Sequence, residues 1–348
     1  MKHAWTPLVI AATAFTPALA SSDTELSAIE SKVSVQDLWV KDYDKAVALA
    51  REQKKNLLVD FTGSDWCGWC IRLDREVFGH QSWLEGASKD YILVSLDYPR
   101  NAEAKALVPN PERNRELAAT YKIEGYPTIL LMNPDGDVFG RTGYQPGGPE
   151  AYLAHMDQLK SEGLPKLAVA QGWIDQYKEA EGDARLHAFG VLAQHLSRNG
   201  LEAMGSRMLV RFIREELAKD ADGSKGIRKA AVESLVAAGF ADKEIVDTAI
   251  KVAPKNENGL VGRAVRIFVR NVSEETLDSA MEAIASFSAI GVHHQSEVAF
   301  EIYVNGAFFA SKYKDQPELA KVYAARGLEI GSATNVEWTN MLKQVLEM

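Results

Sequence analysis

Leu57-Leu58-Val59-Asp60-Phe61-Thr62-Gly63-Ser64-Asp65-Trp66-Cys67-Gly68-Trp69-Cys70 decides the reading of this 348-residue chain, because an apolar run leads straight into the only two cysteines present. The run 57–62 reads as a buried strand. After it, Ile71, Leu73, Val77 and Phe78 are apolar while Arg72, Asp74, Arg75 and Glu76 are charged, a period near 3.6 that predicts a helix over 67–78, stopped at Gly79. Cysteines three apart on one helical turn bring their sulfurs together. Cys67 would stand exposed at the helix N-terminus, where unpaired N–H groups and the dipole favour a thiolate, and Cys70 would lie shielded one turn in. A low-pKa thiol attacks and leaves well. The expected chemistry is attack by Cys67 on a substrate disulfide and resolution of the mixed disulfide by Cys70, or the reverse sequence, which donates a disulfide.

Other uses of the pair fit less well. A zinc site usually takes four Cys or His ligands, and the chain has no second cysteine pair and no histidine inside the motif, so no metal is expected. A purely structural disulfide would close too short a loop to constrain the unfolded chain much.

Val59-Asp60-Phe61, then Trp66-Cys67-Gly68-Trp69-Cys70, then Gly125-Tyr126-Pro127-Thr128 about sixty residues on together resemble the thioredoxin family, over roughly residues 37–162. The string from Phe61 to Cys70 is similar to its secreted and periplasmic thioredoxin-like branch. The resemblance implies a central mixed sheet flanked by helices and a cis Pro127 whose turn lies against the sulfurs. It also implies that the Tyr126 backbone pairs with extended substrate, and that Asp60 is a buried proton acceptor for Cys70. Burial of Asp60 also follows from its place between three apolar residues and Phe61, and would raise its pKa. Trp66, Gly68 and Trp69 are expected to meet substrate, with simple packing as the alternative for either tryptophan. Two departures stand out. Tyr91-Ile92-Leu93-Val94-Ser95-Leu96 holds no lysine to partner Asp60, and Gly68-Trp69 replaces the Gly-Pro of thioredoxin and the Gly-His of protein disulfide isomerase.

Met1-Lys2-His3, an apolar span from Ala4 to Ala20 and the small residues Ala18-Leu19-Ala20 form the pattern of a cleaved signal peptide, residues 1–20, with a linker over 21–36. Prolines 7 and 17 and the short core argue against a membrane anchor. A periplasmic or secreted protein is expected, in a compartment where disulfide chemistry is productive. The net charge of −9 becomes −10 once residues 1–20, with their single Lys2, are removed. That disfavours nucleic acid and anionic membrane as partners.

Between the linker and residue 162 the pattern predicts helix 43–53, strand 57–62, helix 67–78, strand 91–97, helix 112–121, strands 128–133 and 137–143, and helix 149–160. Asn133-Pro134-Asp135-Gly136 marks a hairpin turn. Pro99 to Pro111 reads as a surface insertion, with a loop beside the active site as the alternative. From about Gly163 onward only helix is predicted. Segments near 166–180, 184–199, 201–219, 225–239, 242–252, 259–270, 274–290, 293–311, 316–330 and 334–347 carry apolar residues at spacings of three and four. Residues 163–348 therefore form an all-helical, repeat-like domain, a TPR- or HEAT-like solenoid or else an irregular bundle. His293-His294, His187 and His195 read as ordinary core or surface histidines.

The expected function is thiol–disulfide exchange on protein substrates, as reductase or isomerase in preference to oxidase, with no cofactor beyond the Cys67–Cys70 disulfide. A separate redox partner must recharge the pair. The alternative is a scaffolding protein whose helical domain binds partners or a second copy.

Overall fold

The computed structural model describes residues 38–291, 296–331 and 335–348. The expected signal peptide, the linker and His293-His294 lie outside the described residues.

Five strands form one mixed sheet: β1 (Trp39–Val40), β2 (Asn56–Thr62), β3 (Tyr91–Asp97), β4 (Thr128–Met132) and β5 (Val138–Thr142). Their order is β1-β3-β2-β4-β5, with β2 parallel to β3 and antiparallel to β4. β2 is central and covered on both faces, which is why it reads as a continuous apolar run and not as an alternating one. Alternate residues serve two cores. Leu58, Leu93, Ile129 and Leu131 face Phe78, Trp83 and Tyr152, whereas Leu57, Val59, Phe61, Val94 and Leu130 face Tyr43, Ala46 and Tyr121. Helix α1 (Tyr43–Gln53) starts at Asp42, whose carboxylate accepts the Lys45 N–H at 3.0 Å. The hairpin between β4 and β5 turns where expected, with Asn133 Oδ1 accepting the N–H groups of Asp135 and Asp137.

Three elements have no counterpart in the sequence reading: β1, helix α3 (Gln81–Ala87) and helix α4 (Ala102–Ala106). All are too short to show a period. The expected helix 67–78 is instead helix α2 (Gly68–Leu73) continued by a π-helical turn over Asp74–Phe78, in which the Gly79 N–H reaches the Asp74 carbonyl at 2.7 Å. After helix α5 (Pro111–Thr120), the expected helices 149–160 and 166–180 are one helix, α6 (Gly148–Glu179). Gly163 is no breaker there. A Cβ on it would lie 1.8 Å from the Phe139 carbonyl oxygen, so the glycine is present for close approach of α6 to β5. Pro165 is carried inside the helix. Tyr152, Met156 and Leu167 of α6 pack into the sheet core, while Ala170, Ile174 and Tyr177 belong to the next core.

Beyond α6 the chain is helical: α7 (Gly182–Asn199), α8 (Ser206–Ala218), α9 (Arg228–Ala238), α10 (Lys243–Val252), α11 (Leu260–Arg270), α12 (Leu277–Ile290), α13 (Ser296–Lys312), α14 (Pro317–Ile330) and α15 (Val336–Glu347). The substantial packing runs between consecutive helices and between next-but-one helices, as when α7 packs on α9 and α11 on α13. Helix α8 and the loop before it tie this region to the sheet domain. Arg211 Nη2 contacts the buried Asp137 carboxylate at 2.9 Å, Lys122 pairs with Glu202 at 2.6 Å, and the Arg207 guanidinium lies 4.8 Å from the Tyr121 ring. Because Leu57 pairs with Met132 and Phe61 with Thr128, this anchor stands at the end of the sheet opposite the cysteines. Among the described residues no helix is long and apolar enough to cross a membrane.

Gly163→Ala should destabilise the protein by about 1–3 kcal/mol or more, because the obstructing atom is backbone and cannot rotate away. The measurement is the urea midpoint at constant m; an unchanged midpoint would contradict the close approach.

Candidate active site

Strand β2 delivers the chain to a short loop, Gly63–Trp66, held by the segment that leaves β3. Asp97 accepts the Ser64 N–H at 2.9 Å and its hydroxyl at 2.6 Å. Asp65 accepts the Arg100 N–H at 3.0 Å and the Asn101 N–H at 2.6 Å, bonds that hold its carboxyl below the usual range. The Trp66 indole N–H donates to the Tyr98 carbonyl at 2.8 Å, and the ring lies so close over Gly63 that a Cβ there would come within 2.6 Å of it. The Pro99–Pro111 stretch is thus no inert insertion. It braces the loop that presents the cysteines.

Cys67 and Cys70 form a disulfide, with Cys67 as N-cap of α2 and its Sγ accepting the Cys70 N–H at 3.2 Å. The expected contrast in exposure is absent, since Cys67 is 6% and Cys70 5% exposed. Trp69 is the exposed member of the motif, at 56%, lying 5.2 Å from the Tyr144 ring. The Arg72 guanidinium stands near both rings and pairs with Glu76 at 2.9 Å. Glu76 also accepts the Tyr144 hydroxyl at 2.6 Å, and these bonds, that one first, lower its pKa. Gly68 is exposed with open space around its Cα. On the other flank, half-buried Trp66 meets Tyr126 edge-on at 5.7 Å, and Tyr126 meets Tyr98 at 5.3 Å. The Tyr126–Pro127 peptide bond is cis.

Asp60 sits in mid-strand, paired in register with Ser95 and Ile129 and 7% exposed. Its Oδ1 is buried with no hydrogen-bond partner among the described residues. Burial pushes its pKa up to about 8, helped by the nearby carboxyls of Asp74 and Asp97. Asp60 and Cys70 line one cavity of about 510 Å³, together with Lys41, Asp74, Asp97, Leu107 and Asn114. Where β3 offers no lysine, the cavity beside Asp60 holds two further acids, Asp74 and Asp97, and Lys41, which follows β1. Lys41, Asp74, Asp97, Tyr98 and Tyr144 were not singled out from the sequence. Asp74 was visible as a charged residue one turn after Cys70, but only the fold turns it toward Asp60. No group of three or more His, Cys, Asp or Glu side chains among the described residues is arranged to hold a metal ion.

An unfolded carboxyl ionises near pH 4, whereas folded Asp60 keeps its proton up to about 8. The stability this group contributes is present below about pH 4 and is lost as pH rises through about 8. Asp60→Asn should lack that loss, so the oxidised variant should gain on wild type steadily from about pH 4 to about pH 8, by a few kcal/mol in all. Parallel denaturation series across this window test it; identical pH dependence would contradict a buried, protonated Asp60.

A family model described as thioredoxin-like matches residues 38–134. A disulfide bond reductase, DsbH, of Chlamydia pneumoniae is 30% identical over 124 residues, which cover 35% of this chain and 72% of that protein. The thioredoxin-related protein DsbJ of the same organism is 26% identical over 41% of this chain and 42% of its own length. A protein disulfide-isomerase of Datisca glomerata is 29% identical over 43% of this chain and 26% of its own. A solved structure of a DsbH oxidoreductase is 28% identical over 35% of this chain and 82% of that chain, with a TM-score of 0.31. The chain belongs to the thioredoxin-like family, through the sheet domain that carries the Cys67–Cys70 disulfide.

Proposed function

We propose that this protein exchanges thiols and disulfides with protein substrates. The observation that supports this most is the Cys67–Cys70 disulfide at the start of a helix, with buried Asp60 sharing a cavity with Cys70. In the reductive direction the Cys67 thiolate attacks a client disulfide, forming a mixed disulfide and releasing one client thiolate. Cys70 then loses its proton, attacks Cys67, and releases the second client thiol as the Cys67–Cys70 bond forms. The client gains two electrons, which a separate dithiol protein must return, since the chain has no other cysteine.

Asp60, with a pKa near 8, can take the Cys70 proton when the disulfide closes and return it when the disulfide opens. Trp66, Gly68 and Trp69 border the reacting sulfurs, and Tyr126-Pro127 receives the client backbone. The reductive direction, with isomerisation, is preferred to oxidation, a preference supported by the relative named a disulfide bond reductase. We assign residues 37–162 to this redox domain and residues 163–348 to a solenoid-like module that holds a partner protein or a second copy, a reading supported by the substantial packing among the described helices running between near neighbours.

The test is thiol-dependent reduction of a model protein disulfide. Wild type should be active and Cys67→Ser should fall to the buffer background, while Cys70→Ser should accumulate a mixed disulfide with the substrate. Wild-type activity no higher than buffer would overturn the proposal.

A further inference from the structure

The two flanks of the disulfide carry arginines in different states. Arg72, on the Trp69 flank, is neutralised by Glu76, which also contacts Arg75 at 3.3 Å. Arg100, on the Trp66 flank, is exposed and its guanidinium lies 3.9 Å from the Trp66 ring centre, a cation–π contact. Arg100 makes no ion pair with any described residue. The nearby Asp65 carboxylate accepts the backbone N–H groups of Asn101 and Arg100. Those bonds fix where the Arg100 backbone stands, and the guanidinium, though it attracts the Asp65 carboxylate, makes no ion pair with it. The third side of the site, the cavity beside Cys70, is lined by the carboxyls of Asp60, Asp74 and Asp97 and by Lys41. The charge around the sulfurs is thus uneven, with Arg100 on an aromatic shelf at one flank and the carboxyls of Asp74 and Asp97, together with Lys41, behind.

From Arg100 the shelf continues without a gap: guanidinium over Trp66, Trp66 edge-on to Tyr126, Tyr126 leading into Pro127. On the client path proposed above, along Tyr126-Pro127, this shelf is the surface that leads away from the disulfide toward Arg100.

Resting on the oxidoreductase reading above, we propose that Arg100 is a specificity-determining residue that selects client segments with an aspartate or glutamate beside the reacting cysteine. The stacked ring orients the guanidinium and lowers the entropy lost when it pairs with a carboxylate. The pair remains at the rim of the site, so it acts chiefly on the encounter rate and is weakened by salt. The Trp66 shelf is needed for this geometry, because a free arginine on a loop would pay more side-chain entropy per contact.

The experiment compares three oxidised peptides of one sequence, with Asp, Ser or Lys flanking the cystine, and an uncharged small disulfide. The substrates are reduced by the full chain as wild type, Arg100→Ala, Arg100→Lys and Arg100→Glu. An exposed pair of this kind is worth about two- to fivefold in rate. Wild type should therefore favour the Asp over the Ser peptide by about that factor in kcat/KM, with the preference shrinking in 1 M salt. Arg100→Ala should abolish the ratio, Arg100→Lys should restore part of it, and Arg100→Glu should reverse it in favour of the Lys peptide. Arg51→Ala, in a distant surface pair with Asp135, should keep the wild-type ratio.

A wild type indifferent to flanking charge would overturn the proposal. So would an Arg100→Ala effect equal on all three peptides and accompanied by a changed equilibrium potential, since Arg100 would then act on the Cys67 thiolate and not on the client. Failure of wild type to reduce even the uncharged disulfide is a separate result, and it would refute the oxidoreductase reading itself.

Discussion

Coverage of strand β2 on both faces is the constraint from which the redox end of the molecule follows. A central strand with helices on either side can carry only apolar residues, and six of the seven residues from Asn56 to Thr62 are buried. The one ionisable group admitted, Asp60, is buried to 7% exposure at the wall of the cavity and keeps its proton to about pH 8. The strand also aims the chain at a fixed point, so the loop after it must reverse into a helix within a few residues. Gly63 lets Trp66 fold back over the backbone, Asp97 at the end of β3 accepts the Ser64 N–H, and Asp65 of the loop accepts the N–H groups of Arg100 and Asn101 from the segment beyond. Cys67 arrives as the N-cap, where helix geometry brings it against Cys70.

The two ends of the sheet have divided roles. Antiparallel pairing of β2 with β4 puts Thr128, directly after Pro127, at the cysteine end and Met132 at the other. The hairpin beyond Met132 carries Asp137, which is 1% exposed and would be a costly buried charge without Arg211 of α8. The helical region therefore grips the sheet where it cannot obstruct the disulfide. Helix α6 contributes to both regions, with its first half packed in the sheet core and its last turns in the helical core.

Much of this was legible from periodicity. The strands β2 to β5, helix α1, and nine of the helical segments after residue 180 lie within a few residues of their expected positions, because each is long enough to show a period or ends at Gly or Asn. Where the reading failed, the signal was local and the cause was not. Gly163 and Pro165 look like a helix break, yet the glycine serves a close contact with Phe139, and the long helix continues because it is packed at both ends. Helix α4 and strand β1 are too short to declare themselves, although both border the cavity behind Cys70.

The amino-acid sequence by itself determined the pairing of Cys67 with Cys70, the burial of Asp60 and the order of strand, helix and Tyr126-Pro127, since these depend on spacing and on the run of apolar residues around them. Only the tertiary structure decided the company these groups keep. Asp74 and Asp97 stand beside Asp60, Tyr144 stands beside Trp69, and the Arg100 guanidinium lies on Trp66 unpaired among the described residues. These neighbours come from elements up to about 75 residues away in the chain. Charge and ring contacts depend on distance in space, and a one-dimensional pattern records only distance along the chain.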